Sequence, residues 1–165
     1  MIVSKINILD FSYYIAKDEK GYTFVGSPNG PSDEVLSWFK DITYVKDDDK
    51  RFSSIREVLE TYLLGKSGNT QMTMHMIGTD FQVKVWEALM TIPYGKTYTY
   101  GQIAEILGDK NKTRAVASAI AKNPLMILIP CHRVIGKDKK MHGFRGGIAF
   151  KEKLLQLERD RKLNF

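Results

Sequence analysis

The sequence holds a single cysteine, Cys131, within the run Ile127-Leu128-Ile129-Pro130-Cys131-His132-Arg133-Val134. A thiol beside an imidazole can do nucleophilic chemistry, because the thiolate is the reactive form and a neighbouring base generates it. His132 is the obvious base, and a cation, Arg133, follows it. The apolar and β-branched residues before Pro130 read as the end of a buried strand. Pro130 stiffens the turn and has no N–H to give to a ladder. The pattern also admits a plainer reading, since free cysteines are often small buried hydrophobes. One cysteine makes no internal disulfide, and a reducing compartment would keep the thiol usable.

Such a residue needs a scaffold, and helical periodicity surrounds it. Thr79 and Gln82 have capping-box spacing, and Phe81, Val85, Ala88, Leu89 and Ile92 follow as a core-facing stripe. Pro93-Tyr94-Gly95 ends that helix. Thr99 and Gln102 form a second capping box, opening a helix to Leu107 that Gly108 stops. A short polar turn leads to a third helix, Thr113 to Lys122, which meets Asn123-Pro124. Helix, short turn, helix is the helix-turn-helix layout. On the third helix Arg114, Ala117, Ser118 and Ala121 share one face, while Val116, Ala119 and Ile120 point into the core. That face is small apart from Arg114. It suits close approach to a partner, and equally close packing against another helix. Residues Val134 to Phe144 read as a hairpin or loop around Gly136-Lys137-Asp138, and a last helix covers Ile148 to Arg161.

The amino-terminal residues carry a different pattern. Ile6 to Ala16 and Tyr22 to Val25 are β-prone runs separated by Lys17-Asp18-Glu19-Lys20-Gly21, a hairpin signature. Glu34 to Phe39 reads as a short helix, Ile42 to Val45 as a strand, Ser54 to Leu64 as a helix closed by Gly65, and Thr70 to Ile77 as a strand. The fold class is therefore α+β: a small amino-terminal α/β domain with an antiparallel sheet over residues 1–77, then a helical domain over 78–165 holding the helix-turn-helix and the cysteine.

Charge divides along the same line. Residues 1–77 carry 9 Lys+Arg against 11 Asp+Glu, a balance of −2, and residues 78–165 carry 16 against 8, a balance of +8. A basic surface attracts phosphate by releasing counterions, although lysines also serve solubility alone. No apolar run reaches membrane-spanning length, and the amino terminus lacks a basic segment followed by an apolar core, so the expected setting is soluble and cytoplasmic.

From Gly78 to about Arg159 the sequence resembles the O6-alkylguanine-DNA alkyltransferases, the methylated-DNA–protein-cysteine methyltransferases. Pro130-Cys131-His132-Arg133-Val134 is similar to the family's active-site signature. Gly78-Thr79-Asp80-Phe81-Gln82, Val85-Trp86-Glu87-Ala88-Leu89, Ile92-Pro93-Tyr94-Gly95-Lys96, Tyr100-Gly101-Gln102-Ile103-Ala104, Arg114-Ala115-Val116 and Asn123-Pro124-Leu125 follow the family pattern in order. Gly146-Gly147 and Leu154-Leu155 with Glu158 complete it. Residues 1–77 carry no such motif.

The resemblance implies a stoichiometric alkyltransferase acting on O6-methylguanine, and more weakly O4-methylthymine, in double-stranded DNA. It implies that Cys131 is the nucleophile, that His132 reaches the thiol through a water, and that Glu158 holds the far imidazole nitrogen. By residue type alone Glu158 is a solvated helix residue. Asn123 is implied to tie the loop before the active-site strand, where an Asn-Pro pair by itself signals only a turn. Tyr100 is implied to assist base rotation and to protonate guanine N3; without the family context, Tyr94 or Tyr98 would serve as well. The helix bearing Arg114, Ala115, Ala117, Ser118 and Ala121 is implied to enter the minor groove, with Arg114 filling the space left by a flipped base. Backbone at Cys131, Val134 and Arg145 is implied to line the pocket. Phe144 replaces a frequent tyrosine and Arg145 an occasional serine, so preference among alkyl groups is open.

No cofactor is implied. Some members bind zinc in the amino-terminal half, but this chain has no cysteine there, and His75 and His142 read as surface or core histidines, so no metal is expected. The protein is expected to act as a monomer, with cooperativity on DNA left open. Three rival classes stay in view. A non-catalytic damage sensor would not need Cys131, and a Cys-His-Glu hydrolase would not need the helix-turn-helix or Arg114. A plain DNA-binding regulator would not need Cys131, His132 and Glu158 together.

Overall fold

The computed structural model describes residues 1–66 and 72–161. The chain forms two compact units: Met1–Met76 with Pro124–Leu128, and Ile77–Asn123 with Ile129–Phe165. Where the sequence predicts one division at 77/78, the structure adds Pro124–Leu128 to the first unit.

In the first unit, β1 (Ile2–Ile8) and β2 (Phe11–Lys17) pair antiparallel, with Ile8 opposite Phe11. The run expected as one strand over 6–16 is thus two strands. The chain reverses at Leu9-Asp10, where Leu9 takes a φ of 53°, a left-handed conformation that nothing in a leucine signals. β3 (Tyr22–Val25) pairs antiparallel with β2, as the hairpin signature requires. β4 (Thr43–Tyr44) joins β1 in parallel, giving the order β3-β2-β1-β4. The expected antiparallel sheet is therefore mixed at one edge, where Thr43 and Val45 N–H groups donate to the Met1 and Val3 carbonyls.

The expected helix at Glu34–Phe39 shortens to a 3-10 turn, Glu34–Ser37. α1 (Ser53–Leu63) buries Ile55, Leu59, Tyr62 and Leu63. Val3, Ala16, Phe24 and Val35 form a core on which Met1, Tyr14, Trp38, Phe39 and Ile42 pack. Of the strand expected over 70–77, residues 70 and 71 lie outside the described residues, and within 72–77 Met74 makes only an isolated bridge to Tyr22. Pro124–Leu128 belongs to this unit because the Val25 N–H donates to the Pro124 carbonyl at 2.9 Å and Leu125 bridges Val25.

The second unit is mainly helical. α2 (Asp80–Met90) and α3 (Tyr100–Ile106) both begin with the expected capping boxes, Thr79 with Gln82 and Thr99 with Gln102. α3, a 3-10 turn at Lys110–Lys112 and α4 (Thr113–Ala121) form the helix-turn-helix. Both α2 and α3 pack on α4, which buries Val116, Ala119 and Ile120 as its spacing demands. Trp86 on α2 ties the pair by donating its indole N–H to the Ala119 carbonyl at 2.9 Å.

The segment before Cys131 is buried but is not a strand. Ile127 takes a φ of 71°, and the Leu128 N–H turns back to the Met126 carbonyl, so no extended ladder forms. After the cysteine, β6 (Val134–Ile135) pairs in parallel with β5 (Tyr98–Thr99), Tyr98 opposite Val134. Residues 136–140 form a turn, with the Gly136 N–H donating to the Lys140 carbonyl. α5 (Ile148–Asp160) buries Phe150, Lys151, Leu154, Leu157 and Glu158.

Candidate active site

Cys131 opens a one-turn 3-10 helix, Cys131–Arg133, and is only 8% exposed. Burial pushes its thiol pKa up; a hydrogen bond from Asn123 and the charges of Arg145 and Lys151 pull it back down. A raised thiol pKa keeps the proton on sulfur, so attack by this thiol would need a base.

The base candidate lies next in the chain. His132 is fully buried, and its Nε2 stands 2.7 Å from Glu158 Oε1. Burial lowers its pKa, against the opposing pull of Glu158, and the charges of Arg133 and Lys151 add to the lowering. The imidazole is therefore neutral at pH 7. With Nε2–H donating to the carboxylate, Nδ1 carries the lone pair that can take a proton.

Glu158 is the hub. Besides His132 it accepts from Arg133 Nε at 2.9 Å, from Arg133 Nη2 at 2.9 Å and from the Gly95 N–H at 3.0 Å. A buried carboxylate needs this many donors. Arg133 also donates from Nη1 to the Ile92 carbonyl at 2.7 Å, fixing the guanidinium between the end of α2 and α5. Gly95 sits at φ 76°, with the Glu158 backbone against it, where a side chain would be strained.

β5–β6 pairing brings the start of α3 to the cysteine. Tyr100 is half-buried, and its phenol pKa is raised by burial and by the negative charge of the Cys131 thiolate, so it holds a proton beside the sulfur. Asn123 is buried, and its amide donates to the Ile129 carbonyl at 3.0 Å, tying down the turn that precedes the cysteine. Val134 is buried, and its carbonyl accepts from Lys151 Nζ at 2.6 Å. Phe144 and Arg145 are half-buried, and Arg145 reaches the Asn123 carbonyl at 3.3 Å.

The α4 residues stand apart from this cluster. Arg114, Ala115, Ser118 and Ala121 are exposed and Ala117 is half-buried, so the small face is turned outward.

A family model described as the DNA binding domain of 6-O-methylguanine DNA methyltransferase matches residues 80–160. The inducible methylated-DNA–protein-cysteine methyltransferase of Bacillus subtilis is 44% identical over 91% of this chain and 86% of its own length. The chain belongs to the methylated-DNA–protein-cysteine methyltransferase family. The methyltransferase of Methanosarcina acetivorans is 37% identical over 87% of this chain and 89% of its own. The crystal structure of Mycobacterium tuberculosis OGT in complex with DNA covers 98% of this chain and 95% of its own at 34% identity, with a TM-score of 0.84.

For a methyltransferase of this family, the structure gathers Cys131, His132, Glu158, Asn123, Tyr100, Val134 and Arg145 around one turn. Sequence reasoning passed over Arg133 and Gly95 as partners of Glu158, and Lys151 altogether. The one signal for Lys151 was its place on α5, one turn before Leu154 and two before Glu158, on a stripe otherwise apolar except for Glu158. His142 packs edge-on against Tyr100, ring centres 6.2 Å apart, on a cavity of about 410 Å³ lined by Thr99, Tyr100, Gly136 and Lys137. His75 pairs with Asp18 at 2.6 Å. Among the described residues, no cluster of His, Cys, Asp and Glu could hold a metal, and no helix is long and apolar enough to cross a membrane.

Proposed function

We propose that this methyltransferase repairs DNA by taking the alkyl group from guanine O6, and more weakly from thymine O4, onto Cys131. The observation that carries the reading is the buried chain His132–Glu158–Arg133 directly behind the lone cysteine. His132 removes the thiol proton through a water, and Glu158 steadies the imidazole. The sulfur bonds to the alkyl carbon as the carbon–O6 bond breaks. The electron pair stays with the base, and Tyr100 supplies a proton to guanine N3. A thioether has no route back, so each molecule acts once, without a cofactor.

The target O6 lies within the base stack, so the nucleotide must be flipped out, at about a few kcal/mol. The outward face of α4 supports the groove-side role: Ala115, Ala117, Ser118 and Ala121 allow close approach in the minor groove, and Arg114 fills the vacated stack. The carbonyls at Cys131 and Val134 and the backbone at Arg145 hold the extruded base, with Phe144 alongside. The protein acts as a monomer in a reducing, cytoplasmic setting.

Intact mass after incubation with duplex DNA containing O6-methylguanine tests the reading. One methyl group per protein, located on Cys131, is expected. Repaired DNA beside unmodified Cys131, or many repairs per molecule, would overturn it in favour of a hydrolase; binding without mass gain would favour a sensor.

A further inference from the structure

We propose that Lys151 is the counter-ion of the Cys131 thiolate, a buried ammonium anchored on the Val134 carbonyl that stabilises the sulfur once its proton has left. The inference deepens the reading of Cys131 as nucleophile and rests on it.

Lysine is almost never fully buried unless paired, and Lys151 is 1% exposed. Its Nζ donates to the Val134 carbonyl at 2.6 Å. Among the described residues it pairs with no carboxylate. The nearby buried acid, Glu158, is already engaged by His132, Arg133 and Gly95. An ammonium has three donors and a carbonyl takes one, so the charge itself lacks a compensating partner in the resting state.

The missing partner is three residues upstream of the carbonyl. The Val134 N–H closes the 3-10 turn onto the Cys131 carbonyl, so Val134 and Cys131 share one tight turn, on which α5 packs. The coupling is felt on both sides: Lys151 lowers the thiol pKa, and the sulfur's charge raises that of Lys151 against the effect of burial. Arg133, the closer cation in sequence, is bound to Glu158 and cannot serve. Arg145 also favours the thiolate but is only half-buried, so solvent weakens its charge.

This arrangement is selective for the reactive state. A thiol leaves the ammonium uncompensated, and a thiolate compensates it. The proton passes to His132 while Lys151 keeps its own, so Lys151 acts by charge alone.

The test is the pH–rate profile of alkyl transfer from free O6-benzylguanine, which needs no DNA, for the parent and Lys151→Met. Methionine keeps length and apolar bulk and removes the charge. The variant is expected to lose about tenfold or more in rate at pH 7 and to recover as pH rises, since each unit added to a thiol pKa removes about tenfold of the thiolate below it. A loss equal at every pH would mark a merely structural lysine and overturn the proposal, as would an unchanged rate. Should Lys151→Met fail to fold, the ε-carbon resonance of Lys151 in the parent decides: methylation of Cys131 must lower its titration midpoint, and an unmoved midpoint overturns the proposal. A parent protein that gains no alkyl mass would bring down the nucleophile reading itself, and this inference with it.

Discussion

Lys151 and Glu158 lie two turns apart on the buried face of α5 and grip successive parts of one short turn, Lys151 the Val134 carbonyl at 2.6 Å and Glu158 the His132 ring at 2.7 Å. A single helix thus fixes two points on the short turn that Cys131 opens. A shift of α5 would disturb the base and the pocket carbonyl together.

Glu158→Gln should slow transfer more than it weakens DNA binding. The substituted amide still contacts His132 but no longer carries the charge that stabilises a protonated imidazole. General-base assistance is worth about 10²–10⁴-fold, which sets the expected loss. Single-turnover rates compared with DNA affinity measure it; a parental rate would return Glu158 to a structural role.

Arg133→Met should change the acid side of the profile. Burial holds the His132 pKa down, Glu158 opposes it, and the Arg133 charge adds to the lowering. Without Arg133 the imidazole pKa rises, so His132 becomes protonated and useless as a base at a higher pH. Activity should therefore fall off at a less acidic pH than in the parent. Leaving Glu158 short of its cation should also cost about 3–5 kcal/mol of stability, read by denaturant unfolding. An unmoved acid limb would exclude this coupling.

His132 also predicts the acid limb of stability. Its folded pKa lies below the unfolded value of about 6.5, so the unfolded chain binds the proton first. The His132 contribution is complete above that pH and is lost as pH falls toward the folded value. Unfolding free energies measured from pH 7 down to pH 5 should decline, and His132→Gln should flatten that part of the curve.

Tyr13→Phe should stabilise the first unit. The Tyr13 hydroxyl is buried and makes no hydrogen bond among the described residues, and burial raises its pKa well above 10. Removing it relieves about 1–3 kcal/mol of desolvation. Because the folded pKa is raised, the parent loses stability as pH climbs above 10, and the variant should lose less. Thermal melts at pH 7 and pH 10.5 check both claims.

Arg114→Ala should slow repair of duplex DNA strongly and transfer from free O6-benzylguanine far less. Filling a vacated stack matters only when a base leaves it, and each 1.4 kcal/mol is about tenfold in rate. Equal losses on both substrates would mean that Arg114 supports the fold.

What was legible in the sequence follows from how local each signal is. Thr79/Gln82 and Thr99/Gln102 are three residues apart, so both helix starts could be read directly. The outward Arg114, Ala117, Ser118, Ala121 face needed only helical spacing. The reversal at Leu9-Asp10 was hidden because leucine carries no turn chemistry. β5 and β6 are two residues each and 36 positions apart, Tyr98 to Val134, below any periodicity. Cys131 and His132 declared themselves by adjacency, whereas Lys151 and Glu158 look like solvated helix residues until α5 is turned to show its buried side.

The path of Pro124–Leu128 bears on how the protein can be divided. The chain leaves the second unit after Asn123, lends five residues to the first, and returns at Ile129, two positions before the nucleophile. A cut at 77/78 would strip Pro124 and Leu125 of their β3 neighbour Val25 and leave the apolar run Leu125–Leu128, buried in the whole protein, without its unit immediately upstream of Cys131. The first fragment would lose a segment that belongs to its own unit, so shortened versions for labelling or fusion should retain both halves, with any inserted tag placed outside 124–131.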